Sequence, residues 1–162
     1  MKNSLLVHKH LIIRAEAVKP PTDEEQLQHW MREFIESINM KVFMGPYVKY
    51  CSMPGNRGIT AIAIIETSHI AMHIWDEPKP ALMQLDVYSC GDFSPNDICS
   101  KIMKDFDIHK IEYKYLNRET GLIKITKHLT LFTFTNFYIV MIPGLTWHVY
   151  FKRTHFNITK CS

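Results

Sequence analysis

Hydrophobic and polar positions alternate, then cycle, then alternate again along most of this chain. His8 to Ala17 carries Leu11, Ile12 and Ile13 and predicts a first strand, which Pro20 and Pro21 end. From Asp23 to Ile38 the apolar residues Leu27, Trp30, Met31, Phe34, Ile35 and Ile38 recur at helical spacing. Thr22 and Glu25 have the form of a capping box, and Asp23 and Glu24 suit the positive end of the helix dipole. Lys41 to Met53 predicts a strand broken near Gly45 and Pro46, and residues 54–58 form a turn. Ile59 to Ile65 is apolar at both alternating sets of positions, as in a strand covered on both sides.

Ser68 to Trp75 predicts the next strand, with His69, Ala71, His73 and Trp75 on one face and Ile70, Met72 and Ile74 on the other. Ala81 to Tyr88 predicts another, running into Ser89, Cys90 and Gly91. Ser94 then caps a second helix with Pro95 at its first position, and Lys110 to Leu116 predicts a closing strand. Short turns between consecutive strands require antiparallel pairing. The expected fold is therefore α/β in the α+β sense. It is a two-layer sandwich of a mainly antiparallel sheet with helices on one face, the other face packing on a partner subunit.

Residues 1–121 read as one domain and 122–162 as a C-terminal extension. Within the extension, Leu129 to Phe151 lacks Asp, Glu, Lys and Arg and is long enough to span a bilayer. However, Phe132 to Thr135 alternates as a strand does, and Pro143-Gly144 is a natural turn, so a β-hairpin is the first expectation. A membrane-associated segment and an unstructured tail remain open.

Composition narrows the partners. The formal charge of +3 is small, and no basic stripe is visible, which argues against nucleic acid. Cys51, Cys90, Cys99 and Cys161 share no CxxC spacing, so neither a zinc site nor a dithiol motif is expected. Free cysteines and a polar N-terminus fit a cytoplasmic setting.

The stretch from Gly58 to Glu77 carries the chemistry. Ser68-His69 opens a strand, His73 follows five residues after the serine, and Trp75-Asp76-Glu77 comes next. Cys90-Gly91 then ends the following strand. In these elements and their order, Lys9 to Gly121 resembles the short, prokaryotic-type S-adenosylmethionine decarboxylases. The resemblance implies a chain that cuts itself between Thr67 and Ser68 and turns Ser68 into a pyruvoyl cofactor. That group would form a Schiff base with the substrate amine and accept the electrons of decarboxylation. It implies further that His73 assists processing and that Thr60, at the position of a processing serine, does the same. Cys90 would return a proton to the substrate carbon, and Glu77 would bind the ribose hydroxyls from the partner subunit. The implied partners are S-adenosylmethionine as substrate and a second copy in a homodimer of cleaved protomers, and the implied pathway role is spermidine synthesis. No metal is expected.

Each residue also has a plain reading. Ser68 and Thr60 suit strands, His73 suits a satisfied core, Cys90 can be a small buried hydrophobe, and Glu77 can belong to a solvated turn. Two positions depart from the family pattern. Thr67 stands where a glutamate usually precedes the cleaved serine, and Met53-Pro54 stands where an aromatic stacks on adenine, leaving Tyr47 or Tyr50 to serve instead. Two other functions stay open: pyruvoyl-dependent decarboxylation of arginine or ornithine, and a silent homologue that modulates an active decarboxylase.

Overall fold

The computed structural model describes residues 7–125, 129–134, 137–141 and 148–151; Lys124 and the last three segments are described by backbone alone. The elements run β1 (Lys9–Ala17), α1 (Glu24–Ser37), β2 (Val42–Cys51), β3 (Gly58–Ile65), β4 (Ser68–Trp75) and β5 (Ala81–Ser89). They continue α2 (Pro95–Phe106), β6 (Ile108–Asn117), β7 (Ile123–Lys124), β8 (Leu129–Phe134), β9 (Phe137–Met141) and β10 (His148–Phe151). All pairings are antiparallel, in the order β10-β9-β8-β6-β1-β5-β4-β3-β2, with β7 also on β6.

Period-two alternation sends one side chain in two to the helix layer. Leu11, Ile13 and Ala15 of β1, Ala61 and Ala63 of β3, Ile70 and Met72 of β4, and Met83, Leu85 and Val87 of β5 are all fully buried there. Leu27, Met31, Phe34 and Ile35 of α1 and Ile98 and Ile102 of α2 meet them, each such side chain contributing roughly 1.5–3 kcal/mol by leaving water. Trp30 joins the two helices. It stacks on Phe34 at 4.9 Å, tilts against Phe106 at 4.5 Å, and donates from Nε1 to Asp105 at 2.7 Å.

The sheet and the one-sided helix layer agree with the expected sandwich, with three local corrections. Asp23, not Thr22, caps α1, because its Oδ1 is the oxygen that reaches the Gln26 amide, at 2.8 Å. The Lys41–Met53 strand is not broken at Gly45-Pro46. It continues as one bulged strand, its register shifting around Met44. The Lys110–Leu116 strand does not close the sheet but lies inside it, between β1 and β8.

The second cover of β3 is not provided by this chain's described residues. Ile62 and Ile64 are 45% and 42% exposed, and Ile12 of β1 is 37% exposed on the same side. From the Leu129–Phe151 run, β8 and β9 form a hairpin that extends the sheet edge at β6 rather than crossing this open face. Strands β6, β1 and β5 separate that hairpin from β4. No helix among the described residues is long and apolar enough to cross a membrane.

Candidate active site

Strands β3 and β4 are joined by the two residues Glu66 and Thr67, so Ser68 is the first residue after a tight hairpin turn. Its register partners are Ile65 on β3 and Ser89 on β5. Ser68 has φ 145°, a conformation that costs a non-glycine residue of order 1–3 kcal/mol and persists only where its surroundings enforce it. Here the enforcement is local. The Thr67 carbonyl accepts a hydrogen bond from the Cys90 backbone amide at 2.9 Å. The Thr67 hydroxyl accepts one from Ser89 Oγ, also at 2.9 Å. One end of β5 thus grips the residue before Ser68 by its main chain and its side chain.

The other predicted residues gather at the opposite end of β4. His73 lies opposite Thr60, and His73 Nδ1 and Thr60 Oγ1 are 3.0 Å apart on the open face. The His73 ring stacks on Trp75 at 5.7 Å, and Trp75 Nε1 donates to Asn56 at 3.0 Å. Glu77 accepts from the Gly55 amide at 3.0 Å, which holds its carboxylate against the turn between β2 and β3.

Two half-sites result: Ser68 with Cys90 at one end, and Thr60, His73 and Glu77 at the other. Five residues of strand rise put roughly 16 Å between Ser68 and His73, and odd spacing puts them on opposite register faces. Within one chain they do not meet.

Two features had no place in the sequence reading. Asp76 is 6% exposed, accepting from Tyr50 Oη at 2.6 Å and from Arg57 Nε at 2.7 Å. The Tyr50 bond first, and then Arg57, hold its carboxyl below the usual carboxylate range. Tyr50 is thereby committed to Asp76, whereas Tyr47 is 59% exposed beside Ile62. The second feature surrounds Tyr88 on the open face, in the row next to Ser68. The Arg118 guanidinium lies 4.3 Å from its ring centroid, His69 and His10 flank the ring, and His10 Nε2 is 3.1 Å from Asp86.

The cysteines differ in kind. Cys99 is buried in the core, and burial pushes its thiol up to about 12, which makes it inert at neutral pH. Cys90 is partly exposed beside the Thr67 carbonyl, and Cys161 lies outside the described residues. No cluster of three or more metal-ligating side chains occurs among the described residues.

A family model described as S-adenosylmethionine decarboxylase matches residues 9–119. Among curated proteins, the chain is 26% identical over 112 residues to the S-adenosylmethionine decarboxylase proenzyme of Archaeoglobus fulgidus, covering 68% of this chain and 89% of that one. It is 27% identical over 111 residues to the proenzyme of the same name from Pyrococcus abyssi, covering 67% and 73%. With the one from Methanococcus maripaludis it shares 34% identity over 70 residues, which is 43% of this chain and 54% of that one.

Proposed function

The chain belongs to the S-adenosylmethionine decarboxylase family, and on that premise we propose that it is a self-processing, pyruvoyl-dependent carboxy-lyase acting on S-adenosylmethionine. The observation that carries this reading is the environment of the Thr67–Ser68 bond. Its carbonyl oxygen already holds a backbone donor at 2.9 Å, and its serine sits in a strained conformation. A donor aimed at an oxygen that turns negative in the reaction typically accelerates acyl transfer by about 10²–10³.

Cleavage balances without any outside reagent but water. Ser68 Oγ bonds to the Thr67 carbonyl carbon, the peptide C–N bond breaks, and the hydroxyl proton passes to the freed nitrogen. Loss of the Ser68 α-proton then breaks the Cβ–Oγ bond and releases Thr67 as a carboxylate. Water displaces ammonia from the remaining fragment and leaves a ketone at the new N-terminus. The products are residues 1–67 and 68–162. The pyruvoyl ketone supplies the electron sink that decarboxylation of an α-amino acid requires.

The chain's own residues take the remaining tasks. His73, set by Thr60, accepts the α-proton during elimination, as an imidazole can near neutral pH. Cys90 delivers a proton to the substrate carbon after carbon dioxide leaves. Glu77 binds the ribose hydroxyls, and Tyr47 stands in for the missing aromatic at Met53-Pro54. Because Ser68 and His73 are too far apart in one chain, the working site combines Ser68 and Cys90 of one protomer with the second half-site of another. Exposed Ile12, Ile62 and Ile64 on the open face support such a homodimer. The C-terminal extension that starts at residue 122 lies outside the catalytic unit, and its described strands β7 and β8 pair with β6.

Release of carbon dioxide from carboxyl-labelled substrates tests the assignment. Wild-type protein is expected to release it from S-adenosylmethionine and not from arginine or ornithine, and Ser68→Ala from none. Release from a basic amino acid alone would transfer the chemistry to that substrate. Equal release by wild type and Ser68→Ala would remove Ser68 from the reaction.

A further inference from the structure

We propose that Ser89 is a positioning residue for self-cleavage: by holding the Thr67 side chain, it keeps the Thr67 carbonyl on the Cys90 amide, where Ser68 attacks it. The inference rests on the self-cleavage proposed above and explains how the chain operates with threonine at that position.

Ser89 is the last residue of β5, faces Ser68 in register, and has no solvent exposure. A hydroxyl that deep must be bonded, and this one is bonded twice. It donates to Thr67 Oγ1 at 2.9 Å and accepts from the Gly91 amide at 2.9 Å. Neither bond belongs to the β ladder. Its register partners are Lys9 on β1 and Ser68 on β4, and the buried Val87 precedes it by two residues on the same face of β5.

Two bonds from Ser89 and Cys90 converge on Thr67, the residue that carries the scissile carbonyl. Cys90 holds the Thr67 carbonyl, and Ser89, the residue before it, holds the Thr67 hydroxyl. A β-branched side chain has few χ1 states, so fixing its hydroxyl also fixes its methyl group and restrains the backbone behind it. Gly91 completes the fit. A Cβ there would lie 3.3 Å from Thr67 Cγ2, tighter than ordinary contact, and 3.4 Å from Ser89 Oγ. Crowding by threonine thus falls on the Gly91 side, where the residue has no side chain, and the Thr67 hydroxyl has a fixed partner in Ser89.

The device has work only while the Thr67–Ser68 bond is intact. Ser68 Oγ must close on the Thr67 carbonyl carbon as the C–N bond opens, and a fixed carbonyl shortens the search for that geometry. Once cleavage is complete, Thr67 is a free C-terminus and substrate turnover no longer involves the grip.

The test is a pulse–chase of the full chain in cell-free translation, following the 162-residue precursor into residues 1–67 and 68–162 on denaturing gels. Ser89→Ala and Thr67→Val are each expected to slow cleavage about tenfold or more, as loss of one aligning hydrogen bond implies. The double variant should be no slower than the slower single one, and Ser89→Thr should retain most of the rate. For Ser89→Ala, kcat per ketone, counted by borohydride trapping, and KM are expected to match wild type. Cleavage of Ser89→Ala at the wild-type rate would overturn the proposal while leaving the pyruvoyl reading intact. So would a fall in kcat per ketone or in Tm matching the loss of cleavage, which would mark Ser89 as merely structural. A wild-type chain that never cleaves would place the failure in the self-cleavage reading itself, and the role of Ser89 would fall with it.

Discussion

Two variants that each fail to cleave should rescue one another when they share a dimer. His73 follows Ser68 by five positions on β4, roughly 16 Å at strand rise, whereas a proton transfer needs heavy atoms about 3 Å apart. His73 therefore has to serve the Ser68 of its partner. Ser68→Ala lacks the nucleophile and His73→Ala lacks the base, so neither homodimer should cleave. A mixed dimer holds one intact pair, made of Ser68 from the His73→Ala chain and His73 from the Ser68→Ala chain. With equal expression and random pairing, half of the dimers are mixed, so about a quarter of all chains should be cut, every one of them a His73→Ala chain. Differently tagged chains, co-expressed and resolved on denaturing gels, give that fraction directly. Mixed dimers isolated through both tags should show about half of their chains cut. No cleavage in isolated mixed dimers, alongside normal wild-type cleavage, would refute the cross-subunit argument. Wild-type cleavage by His73→Ala alone would remove the histidine from processing.

Other expectations follow from single contacts. Asp76 is held below the ordinary carboxylate range by Tyr50 and Arg57, so its stabilising contribution is full above the unfolded value near 4 and is lost as pH falls through the folded value beneath it; Asp76→Asn should flatten the acid limb of a stability-versus-pH curve. A Cβ on Gly58 would sit 2.0 Å from the Ile74 carbonyl oxygen, so Gly58→Ala must displace backbone between β3 and β4 and should cost about 3 kcal/mol in urea unfolding; an unchanged midpoint would contradict the close approach. Cys90→Ala keeps the backbone amide on Thr67, so it should still cleave but turn over slowly and inactivate during catalysis as protons reach the wrong carbon. Sustained wild-type turnover in that variant would take the thiol out of the reaction.

The elements were legible because their patterns are strong. Alternation in Leu11–Ala17 and Ile70–Trp75 and the helical stripe from Leu27 to Ile35 each bury one face on the same core. The boundary of α1 was not, since Thr22 and Asp23 are both capping residues and only the Asp23 carboxylate reaches the Gln26 amide. Serine, histidine and cysteine at family spacing exposed the candidate site, but not its division. Once β4 was read as a strand, the odd interval from Ser68 to His73 already implied opposite faces. Asp76 was hidden by its neighbours: beside Glu77 and Pro78 it reads as a solvated turn, and its burial depends on Tyr50 and Arg57, brought in from β2 and the following turn. Ser89 was similarly inconspicuous, a serine next to Cys90-Gly91, until the hairpin carried Thr67 onto it.

The intact mass of purified wild-type protein under denaturing conditions tests the central claim most directly. The account predicts two chains, residues 1–67 ending in a free carboxylate and residues 68–162 beginning with a ketone in place of the Ser68 amine. A single mass for the uncut 162-residue chain would contradict it.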